Sequence, residues 1–132
     1  TQTSTLNMAA TSLFLDRYDL SAHIAMLRTA YAAKKEAMLH AIRQHFPQEI
    51  TATAPEGGLF TWLTFPEDFD ATAFMRDVAL PQARVAYVPG ATFFPLTPRA
   101  NHARFNFSAQ SEANIQAGIA ALGAALHANL SF

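Results

Sequence analysis

The chain has 132 residues, and its nine lysines and arginines against ten aspartates and glutamates leave a net charge of −1. Apolar residues make up 51% and charged residues only 14%, which excludes a disordered chain. The near-zero net charge removes the simplest electrostatic case for a nucleic-acid or anionic-membrane partner. The sequence contains no cysteine, which excludes thiolate chemistry. No apolar run approaches the roughly 20 residues of a membrane span, and no charged leader precedes one, so we expect a soluble, cytoplasmic, globular protein.

Two helices are predicted at the N-terminal end. Apolar residues recur at helical spacing over 5–15, and Asp19 then marks a break and an N-cap. A long apolar stripe follows and stops at Pro47, which predicts the most secure helix of the chain. The break predicts a domain boundary, with residues 1–18 as a helical connector and residues 19–132 as one domain.

The period of the sequence changes after Pro47. Residues 50–54 and 59–65 are rich in β-branched and aromatic side chains, which favour strands. The segment 55–58 contains a proline and two glycines, so we expect a turn between two paired strands.

The rest of the chain alternates again. Asp70 can cap a short helix that ends at Pro81, strands are predicted over 85–88 and 103–108, and Ser111 can cap a final helix. The order α-α-β-β-α-β-β-α predicts an α+β fold, with a small, mostly antiparallel or mixed sheet and helices packed on one face.

Most familiar catalytic patterns are missing from the sequence. It has no nucleophile elbow, no P-loop and no dinucleotide-binding glycine motif. His40 and His45 lie five residues apart on one helix, a poor spacing for a metal pair, so we expect no metal site. The acidic residues at 67, 68 and 70 are expected in a solvated turn that caps the next helix.

Arg104 is the one candidate binding residue. In a strand over 103–108, Phe105 and Phe107 point to one side, while Arg104 points to the other. A guanidinium beside an aromatic core needs an anion, and its planar fork suits a carboxylate. From the spacing alone, a carboxylate of this same domain or an exposed sheet face is favoured over an external ligand as the explanation of Arg104.

Four motifs, in this order, resemble the C-terminal small domain of fold-type I, pyridoxal-phosphate-dependent aminotransferases of class I/II. They cover about residues 20–130 and are the helix His23-x-x-x-x-Arg28-x-x-Tyr31 with Lys34-Lys35, the hairpin Pro55-x-Gly57-Gly58-x-Phe60-x-Trp62, the loop Val85-Ala86-Tyr87-Val88-Pro89-Gly90-x-x-Phe93, and the strand Arg104-Phe105-Asn106-Phe107-Ser108. The resemblance implies that Arg104 binds the α-carboxylate of an amino-acid or 2-oxo-acid substrate.

The resemblance also implies pyridoxal phosphate as the cofactor and a homodimer in the full-length protein. In this family a large N-terminal domain holds the cofactor through a lysine Schiff base, and the only lysines here, Lys34 and Lys35, match surface positions of the small domain. We therefore expect about one third of an enzyme, with no catalytic or cofactor-binding residue of its own, inactive without the missing large domain. No nucleic acid and no membrane are expected as partners of this domain.

Two other interpretations remain open. Some bacterial transcription regulators join a winged-helix domain to an aminotransferase-like domain that senses a ligand, and their small domains resemble this chain too. A free-standing ligand-binding or dimerisation module is the third interpretation. The sequence upstream of Thr1 would separate the three.

Overall fold

The computed structural model describes residues 3–130. Its helices are α1 (Thr5–Arg17), α2 (Leu20–His45), α3 (Ala71–Phe74), which continues as a π-helix (Met75–Ala83), a 3₁₀ turn (Gly90–Phe93) and α4 (Glu112–Asn129). Its strands are β1 (Thr51–Ala52), β2 (Phe60–Thr64), β3 (Val88–Pro89) and β4 (His102–Asn106). The predicted order of helices and strands is confirmed.

Three predicted caps form as expected. Near the start of α2 the Asp19 carboxylate accepts the backbone N–H of Ala22 at 3.0 Å. Asp70 accepts two backbone N–H groups at the start of α3, and the Ser111 hydroxyl accepts the N–H of Asn114 at 3.2 Å in α4. Each cap satisfies donors that the first helical turn leaves free.

Two compact units divide the chain between Ala30 and Tyr31, inside α2. In the first unit no described side chain is buried, and only Leu27 is half-buried. The second unit carries all four strands, α4 and the rest of α2. The boundary predicted at residues 18 and 19 from the sequence stays a prediction.

The sheet lies in the second unit and is antiparallel throughout, with strand order β1-β2-β4-β3. β2 and β4 form its centre, and their register pairs Trp62 with Arg104 and Leu63 with Ala103. The predicted hairpin of β1 and β2 is confirmed, with Thr51 opposite Thr64.

Helices cover one face of this sheet, as predicted. Leu63, Ala103 and Phe105 point from the central strands into a core to which α2, α3, the π-helix and α4 contribute. The helical members of the core are Met38, Ala41, Ile42, Ala71, Phe74, Ala79, Ile115, Ile119, Leu122, Ala125 and Leu126. Burial of this apolar surface is the main stabilising term of the unit.

The helix after Asp70 does not end at Pro81, so that prediction is wrong. It widens into a π-helix that contains Pro81 and ends at Arg84, whose backbone is left-handed with φ 55°. In an α-helix the proline ring meets the carbonyl four residues earlier, whereas the wider π-turn moves that carbonyl away.

The strand predicted over 85–88 is also wrong in its extent, because β3 contains only Val88 and Pro89. The N–H of Val85 donates to the carbonyl of Ala79 at 3.1 Å, so the end of the π-helix uses the amide that a longer strand would need. β4 is likewise shorter than predicted, since the Asn106 side chain accepts the N–H groups of Ser108 and Ala109 and turns the chain.

None of the helices in residues 3–130 combines the length and the apolar character that crossing a membrane requires.

Candidate functional site

The face of the sheet opposite the helices carries the candidate site. Strand alternation places Phe60 and Trp62 of β2 on this face, together with His102 and Arg104 of β4. The 3₁₀ turn after β3 brings Phe93 against the same face, where its ring lies 5.7 Å from that of Trp62. Arg104 is therefore the charged member of an otherwise aromatic surface.

The guanidinium of Arg104 lies against two aromatic rings. Its Cζ atom is 4.0 Å from the centre of the Phe60 ring and 4.8 Å from that of Phe93. Cation–π contacts of this kind hold a guanidinium without using its hydrogen-bond donors. The side chain is half-buried, so the rings restrict the guanidinium while its N–H groups stay free for an acceptor.

Arg104 has no carboxylate partner in residues 3–130. The ion pairs found there join Lys35 to Glu36 and Arg76 to Asp77, both between neighbours in the sequence. The Nε atom of Arg104 is buried and has no hydrogen-bond partner. The interpretation that Arg104 pairs with an acid of this domain therefore finds no support, and its donors remain available for an external anion.

The rings of Trp62, His102 and Phe93 pack closely beside Arg104 and form an aromatic wall. The His102 ring stacks on Trp62 at 5.5 Å, and its Nδ1 lies 3.2 Å from the Thr64 hydroxyl oxygen. A Cβ atom on Gly90 would lie 2.5 Å from the Cβ of His102 and 2.9 Å from Trp62. The 3₁₀ turn that delivers Phe93 can therefore approach the sheet only because residue 90 is glycine.

Phe93 contacts Arg104, although the sequence identifies Phe93 only as the last residue of the loop motif over residues 85–93. It lies eleven positions before Arg104, in a segment with no regular period, so spacing gave no sign of contact. The one available signal was Pro89-Gly90 ahead of two aromatic residues, which marks a tight turn carrying apolar side chains.

Neither lysine is placed to hold pyridoxal phosphate. The Nζ atom of Lys34 donates to the carbonyl of Ser108 at 2.8 Å, and that of Lys35 to the carbonyl of Pro55 at 3.3 Å. Both side chains are half-buried, which corrects the expectation of ordinary surface residues. Amines tied to backbone carbonyls do not fit a covalent link to the cofactor, so no catalytic step through it is assigned to this chain.

The other residues considered from sequence stay apart from Arg104. His40 is exposed on α2 and His45 ends that helix, and within residues 3–130 no three histidine or acidic side chains approach closely enough to hold a metal ion. Asp70 acts as a cap, as described above. Asp77 bonds to exposed Arg76, which lowers the pKa of that carboxyl, chiefly through the hydrogen bond.

Comparison with known proteins gives a consistent answer. The chain is 35% identical over 117 residues to aromatic-amino-acid aminotransferase 1 of Thermococcus litoralis, covering 89% of this chain and 28% of that protein. Its fold matches the crystal structure of the α-aminoadipate aminotransferase LysN of Thermus thermophilus, complexed with N-(5'-phosphopyridoxyl)-L-leucine. That match has a TM-score of 0.82 and 32% identity, over 92% of this chain and 30% of that one. No family model matches the chain.

One relative comes from a different class of protein. An uncharacterized HTH-type transcriptional regulator of Escherichia coli, YjiR, is 32% identical over 79 residues, which cover 60% of this chain and 17% of that protein. The chain thus spans less than a third of the length of each of these relatives. By sequence and by fold, it belongs to the family of pyridoxal-phosphate-dependent aminotransferases of fold type I, as their C-terminal small domain.

Proposed function

We propose that this chain is the substrate-carboxylate-binding domain of an aminotransferase that moves an amino group between an amino acid and a 2-oxo acid. The observation that carries the proposal is the guanidinium of Arg104, which lies against Phe60 and Phe93 and has no acidic partner within residues 3–130. Amino acids and 2-oxo acids share one group, the α-carboxylate, which a guanidinium binds through two parallel hydrogen bonds.

The aromatic rings give this binding its direction. With its Cζ atom over the rings of Phe60 and Phe93, the guanidinium is restricted in place, and an incoming carboxylate would meet its donors in the plane of the fork. Arg104 is half-buried, and its partial removal from water strengthens the charge interaction. A carboxylate fixed in two contacts leaves the substrate Cα in one orientation, and such positioning is a large part of enzymatic rate enhancement.

The remaining parts of the reaction are proposed to lie outside this chain. Pyridoxal phosphate, which supplies an electron sink for the substrate Cα when bound, would be held by a large domain outside this chain, which spans less than a third of the length of its relatives. We further propose that the whole protein is a cytoplasmic homodimer and that the 132-residue chain alone is inactive.

Substitution of Arg104 tests the proposal in the whole protein. Arg104→Ala removes a charge-assisted bidentate contact worth about 2–5 kcal/mol, so kcat/KM should fall by roughly 30-fold to several thousand-fold. Arg104→Lys should recover only part of this loss, because an ammonium lacks the fork geometry. Steady-state kinetics with a panel of amino acids measure the effect.

Arg43→Ala is the matched control, because Arg43 is exposed on α2 and has no hydrogen bond or ion pair within residues 3–130. It should leave kcat/KM unchanged. A near-normal kcat/KM for Arg104→Ala, combined with a lower unfolding midpoint of the chain, would assign Arg104 a structural role and refute the proposal.

A ligand-sensing domain of a transcription regulator is the second candidate, favoured by the similarity to YjiR. In that case Arg104 would bind the carboxylate of an effector, and the longer protein would begin with a winged-helix sequence. Reading that sequence separates the two candidates, and only the aminotransferase should convert an amino acid to its 2-oxo acid.

A further inference from the structure

Two adjacent lysines of α2 reach two different segments at the same end of the sheet. Lys34 donates from Nζ to the carbonyl of Ser108 at 2.8 Å, 74 positions along the chain. Lys35 donates to the carbonyl of Pro55 at 3.3 Å, in the hairpin between β1 and β2. These are long-range contacts of half-buried side chains, unlike the exposed pair that Arg76 makes with its neighbour Asp77.

Both acceptors lie next to the end of the central strands where Phe60 pairs with Asn106. Ser108 belongs to the turn directly after β4, where the Asn106 side chain accepts its N–H at 2.7 Å and its hydroxyl at 2.9 Å. Pro55 opens the turn that leads into β2 and so to Phe60, whose ring covers the guanidinium. One helix is thereby tied to the strand that carries the arginine and to the loop that leads to its aromatic cover.

We propose that Lys34 and Lys35 are positioning residues that hold Arg104 and Phe60 in register for carboxylate binding. The proposal rests on the proposed function of Arg104 and deepens it. An ammonium that donates to a carbonyl makes a charge-assisted hydrogen bond, which is about twice as strong as a neutral one. Lys35 also forms an ion pair with Glu36, whose side chain is 64% exposed, and exposed ion pairs contribute little. The hydrogen bond to the carbonyl of Pro55 therefore holds Lys35 in place.

Hydrogen exchange of the Arg104 side chain tests the tie made by Lys34. The Nε–H group is buried, so its exchange with solvent reports each local opening of the site. Lys34→Met keeps an unbranched side chain that is one atom shorter and removes the donor, and NMR on the 132-residue chain should show Nε–H exchange faster by about tenfold. Lys34→Arg retains a charged donor and should restore most of the protection.

Two controls separate positioning from general destabilisation. The backbone N–H of Leu63, on the core face, should exchange at an unchanged rate in Lys34→Met, because global unfolding would accelerate both groups together. Arg43→Met, an equivalent loss of a cation on exposed α2 surface, should change neither rate. Lys35→Met should weaken the ring-current shift that Phe60 imposes on the Arg104 side-chain protons.

The outcomes are decisive in both directions. Arg104 Nε–H exchange within about twofold of the unsubstituted rate in Lys34→Met, or equal acceleration at Leu63, would overturn the positioning role. In the whole protein, Lys34→Met should raise KM for the amino acid more than it lowers kcat. If Arg104→Ala left kcat/KM unchanged, the proposed function would fail, whereas the exchange measurement would still decide whether Lys34 orders the arginine.

Discussion

The two faces of the sheet use the same strands for different ends. On the helical face, Leu63 of β2 and Phe105 of β4 are almost fully buried in the core. On the opposite face, their sequence neighbours Trp62 and Arg104 are only half-buried and lie against Phe93 of the 3₁₀ turn. One residue of offset along a strand thus separates a position that stabilises the fold from one that can meet a ligand.

Because the two faces differ in this way, stability and binding can be varied separately in this domain. A change on the helical face removes apolar contacts that nothing else replaces. A change at Arg104 removes a side chain that lies against two aromatic rings and whose guanidinium makes no ion pair within residues 3–130. Three substitutions test the contrast, in order of expected effect.

The largest effect is expected at Leu63, which is 0% exposed. Leu63→Ala removes buried methyl groups and leaves a cavity, so the free energy of unfolding should fall by about 2–5 kcal/mol in urea titrations. Leu96→Ala is the matched control, because Leu96 is 93% exposed, and it should change stability by less than about 0.5 kcal/mol. A cost below about 1 kcal/mol at Leu63 would show that the helical face does not hold the domain together.

An intermediate effect is expected at Gly90, on the opposite face. The Cβ of Gly90→Ala would collide with His102 and Trp62, and overpacking of this kind costs about 1–3 kcal/mol. Fluorescence of Trp62, the chain's only tryptophan, should also shift because the turn must move away. Gly57→Ala meets no atom within 4 Å and should leave both stability and fluorescence nearly unchanged. Equal behaviour of the two variants would mean that the turn does not press on the aromatic wall.

The smallest effect is expected at Tyr87, whose buried hydroxyl donates to the carbonyl of Ala71 at 2.8 Å. Tyr87→Phe should lower the free energy of unfolding by about 1 kcal/mol at neutral pH, since one net hydrogen bond is lost. Burial, and secondarily the charge of Asp70, raises the pKa of this hydroxyl above its usual range.

That direction fixes the pH dependence. In the unfolded chain the tyrosine ionises near pH 10, whereas in the folded chain it stays protonated to higher pH. Its contribution is therefore complete below about pH 10 and is lost as the pH rises further. Urea titrations between about pH 8 and 11 should show the unsubstituted chain losing its advantage over Tyr87→Phe; a constant difference would contradict the burial of the hydroxyl.

Local chemistry made much of the fold predictable. Asp19, Asp70 and Ser111 cap helices because a short side-chain acceptor just before a helix can accept the free backbone N–H groups of the first turn. The hairpin was predictable for a similar reason, since Pro55 and the two following glycines break the strand period. The helix end predicted at Pro81 is wrong because the rule that proline ends a helix holds for α-helical turns, whereas Pro81 lies in a π-helix.

The site was predictable only in part. Alternation placed Arg104 on the face away from the core, and the structure agrees. Its neighbours were beyond reach, because Phe93 arrives through an irregular turn and the ties from Lys34 and Lys35 span long stretches of chain. Contacts between distant segments depend on tertiary packing, which a period of two or of 3.6 residues does not encode.

The strand order has a consequence for how this domain behaves at high concentration. The outer strands, β1 and β3, contain two residues each, and Pro89 in β3 has no backbone N–H to offer. Another chain that approached either edge would find too short a row of free peptide groups to extend the ladder. In the described sheet, the short edge strands therefore oppose edge-to-edge fibre growth, and no charged residues are needed to repel a second copy.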